Sequence, residues 1–197
     1  MDGYQASIPE LLESGELDLA RDPIRAWLDR NATTENAQLL YKQWLDAGGE
    51  LLLVKKSIQD WLGVHGGAPV ASFVYRAWLN ANGELELVHE PIRNWLVQNA
   101  ISLDASFVYT LWLNSGGETS LVADAIQSWL AAHATTARAR FVFVAWLRAG
   151  GEPGVVHRPL QIWLERHGAQ WYAGFIYTSW LEAGGHPETV QKWRRRK

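Results

Sequence analysis

The chain of 197 residues contains no cysteine and a single methionine. Without cysteine, disulfides, thiolate nucleophiles and cysteine-ligated zinc or iron–sulfur centres are excluded in any compartment. Long hydrophobic runs are missing too. None approaches the roughly 18 to 20 residues that span a bilayer, and the opening MDGYQASIPELLESGELDL has neither a basic start nor a signal-peptide apolar stretch. The expectation is a soluble, cytoplasmic chain with no membrane partner. Charge is also sparse: charged residues make up 20% against 48% hydrophobic ones, the balance of a packed protein rather than a disordered tail. Catalytic signatures are absent as well. There is no G-x-x-x-x-G-K-[ST] loop, no G-x-G-x-x-G and no G-x-S-x-G, and His89-Glu90 lacks the second histidine of H-E-x-x-H. No enzymatic activity, cofactor or metal is expected.

What the chain has in excess is tryptophan, 12 in all. Trp27, Trp44, Trp61, Trp78, Trp95, Trp112, Trp129, Trp146, Trp163 and Trp180 follow one another at intervals of 17 residues, and each is followed by Leu. Internal repetition on this scale decides the architecture before any local reading does. One continuous helix is excluded, because 17 residues at about 100° each leave successive indoles about 100° out of phase. A helix and a short connection fit the interval. Alternate units differ, so the true period is 34. Helix A carries Ala20, Val54, Val88, Val122 and Val156 seven residues before its Trp, and Ile24, Ile58, Ile92, Ile126 and Leu160 three before, a helical apolar stripe. Helix B carries Ala37, Ala71, Ala105, Ala139 and Ala173 at the first of these positions, which implies a close helix–helix approach, and then an apolar or aromatic triplet such as Phe73-Val74-Tyr75.

The punctuation agrees. Helix B runs into Gly48-Gly49, Asn82-Gly83, Gly116-Gly117, Gly150-Gly151 and Gly184-Gly185, read as left-handed caps. Helix A ends at Asn31, His65, Asn99, His133 and His167. Pro23, Pro91 and Pro159 predict that helix A starts within about a turn of them and is the shorter of the pair. The expected fold is all-α: a right-handed α-solenoid of antiparallel hairpins in five repeats, 16–49, 50–83, 84–117, 118–151 and 152–185. Residues 1–15 form an N-terminal cap, a degraded helix B with Glu10 in the Trp position; residues 186–197 form a C-terminal cap with a basic tail.

Across 16–185 this period resembles that of the tetratricopeptide repeat. The alanine followed four residues later by an aromatic is shared, as Ala71 and Tyr75 or Ala105 and Tyr109. Trp61-Leu62-Gly63 departs from the W-x-x-L-G-x-x-Y pattern, so the chain carries a signature of its own. The resemblance implies protein or peptide binding along an inner groove.

Several features bear on partners. Glu16, Glu50, Glu84, Glu118 and Glu152 recur just after the glycines, where an acid complements the start of helix A; an acidic ladder for a basic partner is the alternative. His65, His133 and His167 occupy equivalent turns and suit helix termini better than a zinc site. The outward positions of helix A vary over a constant scaffold and are the candidate binding residues: Arg25, Asp29, Gln59, Asp60, Arg93, Asn94, Gln127, Ser128, Gln161 and Arg166. Trp171 and Tyr172 break the repeat in a loop and suggest either packing under the C-terminal cap against Trp193 or an aromatic recognition patch. The tail from Lys192 to Lys197 holds five cations, and without it the chain has 13 basic against 21 acidic residues, a net of −8. No register of cations runs along the array, so nucleic acid is disfavoured. The expected function is a non-enzymatic scaffold or adaptor binding a protein or peptide through a concave face lined mainly by helix A. The alternatives are the recognition region of a larger signalling or defence assembly and, less favoured, a modular nucleic-acid binder. Self-association through the end caps is compatible with a short array.

Overall fold

The computed structural model describes residues 7–194. Twelve α-helices and no strands occur among them: α1 Ile8–Glu13, α2 Leu17–Asn31, α3 Ala37–Asp46, α4 Leu51–His65, α5 Ala71–Asn80, α6 Leu85–Asn99, α7 Ala105–Asn114, α8 Thr119–His133, α9 Ala139–Arg148, α10 Pro153–His167, α11 Ala173–Glu182 and α12 Pro187–Arg194. They pack against near neighbours within two compact units, which divide between Trp95 and Leu96.

The helix C-termini fall where the repeat places them, but helix A starts earlier than expected and the expected lengths are reversed. Helix A has 15 residues in every repeat and helix B has 10. Pro23, Pro91 and Pro159 each stand seventh inside helix A rather than in its first turn. Proline removes the single bond from its own nitrogen to the carbonyl four residues back. Stripes such as Ala20, Ile24 and Leu28, all buried, hold the helix in place despite that loss. In α4 and α8 the equivalent positions are Ser57 and Ala125 and the helices have the same length, so packing rather than proline sets where helix A begins.

The paired glycines also divide their labour. Only the first of each pair is left-handed, as Gly48 at φ 83° and Gly116 at φ 84°, with Asn82 at φ 56° in the same place. The second lies flat against the preceding indole: a Cβ on Gly117 would come within 2.2 to 2.5 Å of Trp112 ring atoms. That close approach lets the indole N–H reach past the turn. In the first unit Trp44 Nε1 donates to the Glu50 carbonyl (3.0 Å) and Trp78 Nε1 to that of Glu84 (2.9 Å). In the second unit Trp112, Trp146 and Trp180 donate to the carbonyls of Glu118, Glu152 and His186.

Within each unit the helix-A indoles bond a backbone carbonyl 27 residues back. Trp61 Nε1 donates to Thr34 O (2.9 Å) and Trp95 Nε1 to Ala68 O (2.9 Å) in the first unit. Trp129 Nε1 donates to Ser102 O (2.8 Å) and Trp163 Nε1 to Thr136 O (3.0 Å) in the second. The histidines that close helix A reinforce the same seam. His65 Nε2 meets Thr33 O, His133 Nε2 meets Ile101 O and His167 Nε2 meets Thr135 O, at 2.8 to 2.9 Å, with each ring against its Trp. Tyr41, Tyr75, Tyr109 and Tyr177 donate their hydroxyls to Ala32, Gly66, Ala100 and Gly168 carbonyls, each bonding the turn nine residues before it. Burial pushes all four phenols above their ordinary value of 10, and the charge of Asp60 adds to this at Tyr41.

The N-terminal cap shows a one-residue slip. Leu11 rather than Glu10 takes the tryptophan's place: Glu16 N bonds Leu11 O as Gly49 N bonds Trp44 O, and Gly15 supplies the left-handed turn. Glu10 instead faces water and closes a capping box with Ser7. The following linker is one residue shorter than in the repeats. Trp27, with no full hairpin before it, is only half-buried, whereas the nine other ladder tryptophans are buried.

Candidate functional site

All ten outward helix-A residues, Arg25, Asp29, Gln59, Asp60, Arg93, Asn94, Gln127, Ser128, Gln161 and Arg166, are exposed. Several are engaged within their own helix. Arg25 pairs with Asp22 and Arg93 with Glu90 at 3.4 Å, and Asp60 pairs with Lys56. Such exposed pairs contribute little and leave the helix-A surface solvated and locally neutralised. The acidic ladder is used similarly. The residue Glu50 N-caps α4 without a side-chain cap bond and reaches Arg21 (2.5 Å), and Glu84 reaches Lys55 (2.5 Å), so these acids lace one helix A to the next.

Helix B presents a different surface. Five residues before each helix-B tryptophan stand Leu39, Phe73, Phe107, Phe141 and Phe175, which at about 100° per residue point about 140° away from the indole. In the first unit Leu39 and Phe73 are exposed; in the second, Phe141 and Phe175 are exposed at 52% and 56%, while Phe107 is half-covered. A large aromatic facing water at a fixed register is the informative kind of surface residue. The sequence groups Phe73 with Val74 and Tyr75 in one apolar or aromatic triplet; the angular offset from Trp is the signal that separates the exposed ring from its two buried neighbours.

In the second unit this surface deepens into a groove of about 280 Å³ between α7, α9 and α11. Val144, Ala145 and Ile176 form its floor, Phe141 and Phe175 its walls, and Arg140 and Arg148 bring charge. The Arg140 guanidinium lies over both the Phe141 ring (4.3 Å to the centroid) and the Tyr172 ring (4.7 Å). Beside it the Arg138 guanidinium lies over Phe107 (4.8 Å). Trp171, 72% exposed, stands edge-on to Tyr172 and Phe175 and extends the aromatic rim. It is therefore not packed beneath the C-terminal cap. Trp193 rests on Gly168, whose missing side chain makes room for the ring. Of the expected aromatic patch, Trp171 and Tyr172 join this groove's rim. Residues 195–197 of the basic tail lie outside the described residues.

Charge divides unevenly along the chain. Residues 1–95 carry 8 Lys and Arg against 14 Asp and Glu, a net of −6, while residues 96–197 carry 10 against 7, a net of +3. The ion pairs found among the described residues all lie between Asp18 and Arg93. No carboxylate among the described residues is within ion-pair distance of Arg138, Arg140 or Arg148. No cluster of three or more His, Asp or Glu suited to a metal occurs among the described residues, and no described helix is long and apolar enough to cross a membrane.

No protein-family model matches this chain, and no curated protein and no solved structure is significantly similar to it. The likeness to tetratricopeptide repeats thus rests on period and helix pairing alone.

Proposed function

We propose that the chain is a non-enzymatic helical-repeat scaffold that binds a protein or peptide, with its five 34-residue hairpins following one another as a right-handed α-solenoid. The observation that carries this reading is the division between a constant seam and a varied surface. Indole, histidine and tyrosine side chains are spent on the same hydrogen bonds in repeat after repeat, while outward residues differ freely. A protein organised in this way devotes its invariant chemistry to stacking and leaves broad faces for recognition. The groove of the second unit shifts the preferred face from helix A to helix B, because apolar walls and stacked arginines are the residue types that dominate binding energy at interfaces.

Photo-crosslinking groups placed singly at Gln59, Arg93 and Gln127 on helix A, and at Phe73 and Phe141 on helix B, test the reading in native extract. Protein adducts mapped to one helix-B face are the expected result. Adducts confined to helix-A positions would return the site to the face favoured by sequence; adducts to nucleic acid alone would overturn protein binding.

A further inference from the structure

The repeat units serve as internal controls for one another, and the unit 118–151 departs from the rest by three arginines. At the position of Arg138 the other repeats carry Asn36, Val70, Asp104 and Tyr172; at Arg140 they carry Gln38, Ser72, Ser106 and Gly174; at Arg148 they carry Asp46, Asn80, Asn114 and Glu182. Scaffold geometry therefore does not require them. Two of the three also oppose the helix field, since Arg138 N-caps α9 and Arg140 stands in its first turn, the positive end of the peptide dipoles. Both are held against rings, and their bonds to Leu103 O (3.3 Å) and Ala137 O (3.4 Å) are long. A guanidinium stacked on an aromatic face keeps its in-plane N–H groups available and fixed in direction, the arrangement suited to a bidentate carboxylate.

We propose that the α7–α9–α11 groove binds an extended acidic peptide segment, with one carboxylate on Arg140, a second on Arg148 and an apolar side chain between them on the Val144, Ala145 and Ile176 floor. The spacing sets the ligand. Eight residues of α9 separate the two arginines, a rise of about 12 Å, which an extended chain at about 3.3 Å per residue covers in three to four residues. On the α7 wall Asn114 offers its amide to the peptide backbone, and Thr110, whose hydroxyl donates to Ser106 O (2.6 Å), offers its oxygen as an acceptor. A peptide fits better than a nucleic acid strand, because the floor is aliphatic and the cations are few, whereas phosphate backbones are held by cations in series. The occupant's chemistry follows from charge: the groove lining contains two arginines and no acid. This inference rests on the peptide-binding reading above and adds the class of ligand and its address.

A display library of random dodecamer peptides, panned on the full chain at low salt, tests it. The expected winners carry two Asp or Glu three to four residues apart around an aliphatic or aromatic residue. A synthetic winner should bind Arg140→Gln about tenfold more weakly or worse, as expected for loss of a charge-assisted pair. Arg148→Gln should weaken it similarly. Replacing the peptide's acids by amides should do the same, and binding should fall as salt rises. Gln98→Ala and Arg158→Ala, exposed and away from the groove lining, should leave it unchanged. Because Arg148 is exposed, its variant keeps the test valid should Arg140→Gln perturb folding, which circular dichroism would reveal. Winners without acid preference, or acidic winners indifferent to both arginine variants, overturn the groove while leaving peptide binding standing. A failure to recover any peptide overturns the groove as well; capture of an oligothymidine strand in the same assay would additionally sink the peptide-binding reading. Concentration-dependent self-association lost in Arg140→Gln would make a second copy of the chain the occupant and also overturn the proposal.

Discussion

At the scale of single residues, the tryptophan ladder depends on neighbours that have almost no side chain. Gly117 is fixed not by its backbone angles but by the Trp112 ring lying where a Cβ would be. Gly117→Ala should destabilise the protein by about 1–3 kcal/mol, the usual cost of overpacking, read as a lower urea midpoint. The tyrosines make a complementary prediction. Phe143 stands where the other repeats place a tyrosine, and so lacks the hydroxyl that would reach the Ala134 carbonyl. Phe143→Tyr should therefore raise stability by about 0.5–1.5 kcal/mol, one net hydrogen bond. A fall in the midpoint would mean the Ala134 carbonyl is already satisfied. Alkaline pH should act through Tyr41, Tyr75, Tyr109 and Tyr177, whose folded values are raised by burial. A group that holds its proton more tightly when folded contributes stability that is complete below its unfolded value, near pH 10, and is lost as pH rises beyond it. Each such tyrosine should cost up to about 1.4 kcal/mol per pH unit above that point. Melting at pH 9, 10 and 11 checks the slope, and Tyr75→Phe should flatten it relative to the parent; an unchanged slope would assign the loss to other groups.

At the scale of elements, the proline-bearing helices show why a sequence rule misled. Pro23, Pro91 and Pro159 point to a helix start because an interior proline loses one bond and crowds the preceding turn. The structure keeps them seventh of 15 residues because the buried stripe of the same helix outweighs that cost. Pro91→Ala restores the missing donor to the Leu87 carbonyl and should stabilise by about 1–3 kcal/mol; denaturant titration decides, and a loss of stability would show that the ring itself is needed for packing. Helix identity, order, C-termini and most buried residues were legible from the 34-residue period, because the period is written in side chains that recur, whereas the start of helix A was not. The site was less legible. Phe141 and Phe175 recur as faithfully as the core does, and only their angle from Trp146 and Trp180 separates surface from interior. Arg140 stands alone in its register, so a reading built on repetition passes over it; its meaning depends on two rings that only folding brings beneath the guanidinium. The slip at Leu11 was hidden for a related reason, since a constant spacing cannot reveal a linker shortened by one residue.

At the scale of the whole molecule, the decisive question is whether the unit of construction is 34 residues or 17. The ladder of indoles has the shorter interval, yet its two classes donate to different acceptors. The indoles of helix B bond the backbone six residues ahead, as Trp112 bonds Glu118, while those of helix A reach 27 residues back, as Trp163 bonds Thr136. Excising residues 118–151 joins Gly117 to Glu152 and recreates each local environment. Trp112 then meets Glu152 O in place of Glu118 O, Trp163 finds Ser102 O in place of Thr136 O, and His167 finds Ile101 O in place of Thr135 O. If the proposed array holds, the shortened chain should remain helical and unfold cooperatively at a lower midpoint, since stability in repeat arrays grows with the number of interfaces. Excising residues 118–134 preserves the tryptophan interval but sets one helix B directly after another. It removes Trp129, Val122 and Ile126, so the flanking Ala139 stripe meets no helix-A partner of matching shape. That variant should lose its cooperative transition and expose tryptophan fluorescence to quenching by iodide. Equal behaviour of the two deletions would mean that the alternation between helix classes is dispensable, and with it the hydrogen-bonded seam on which the proposed binding faces are mounted.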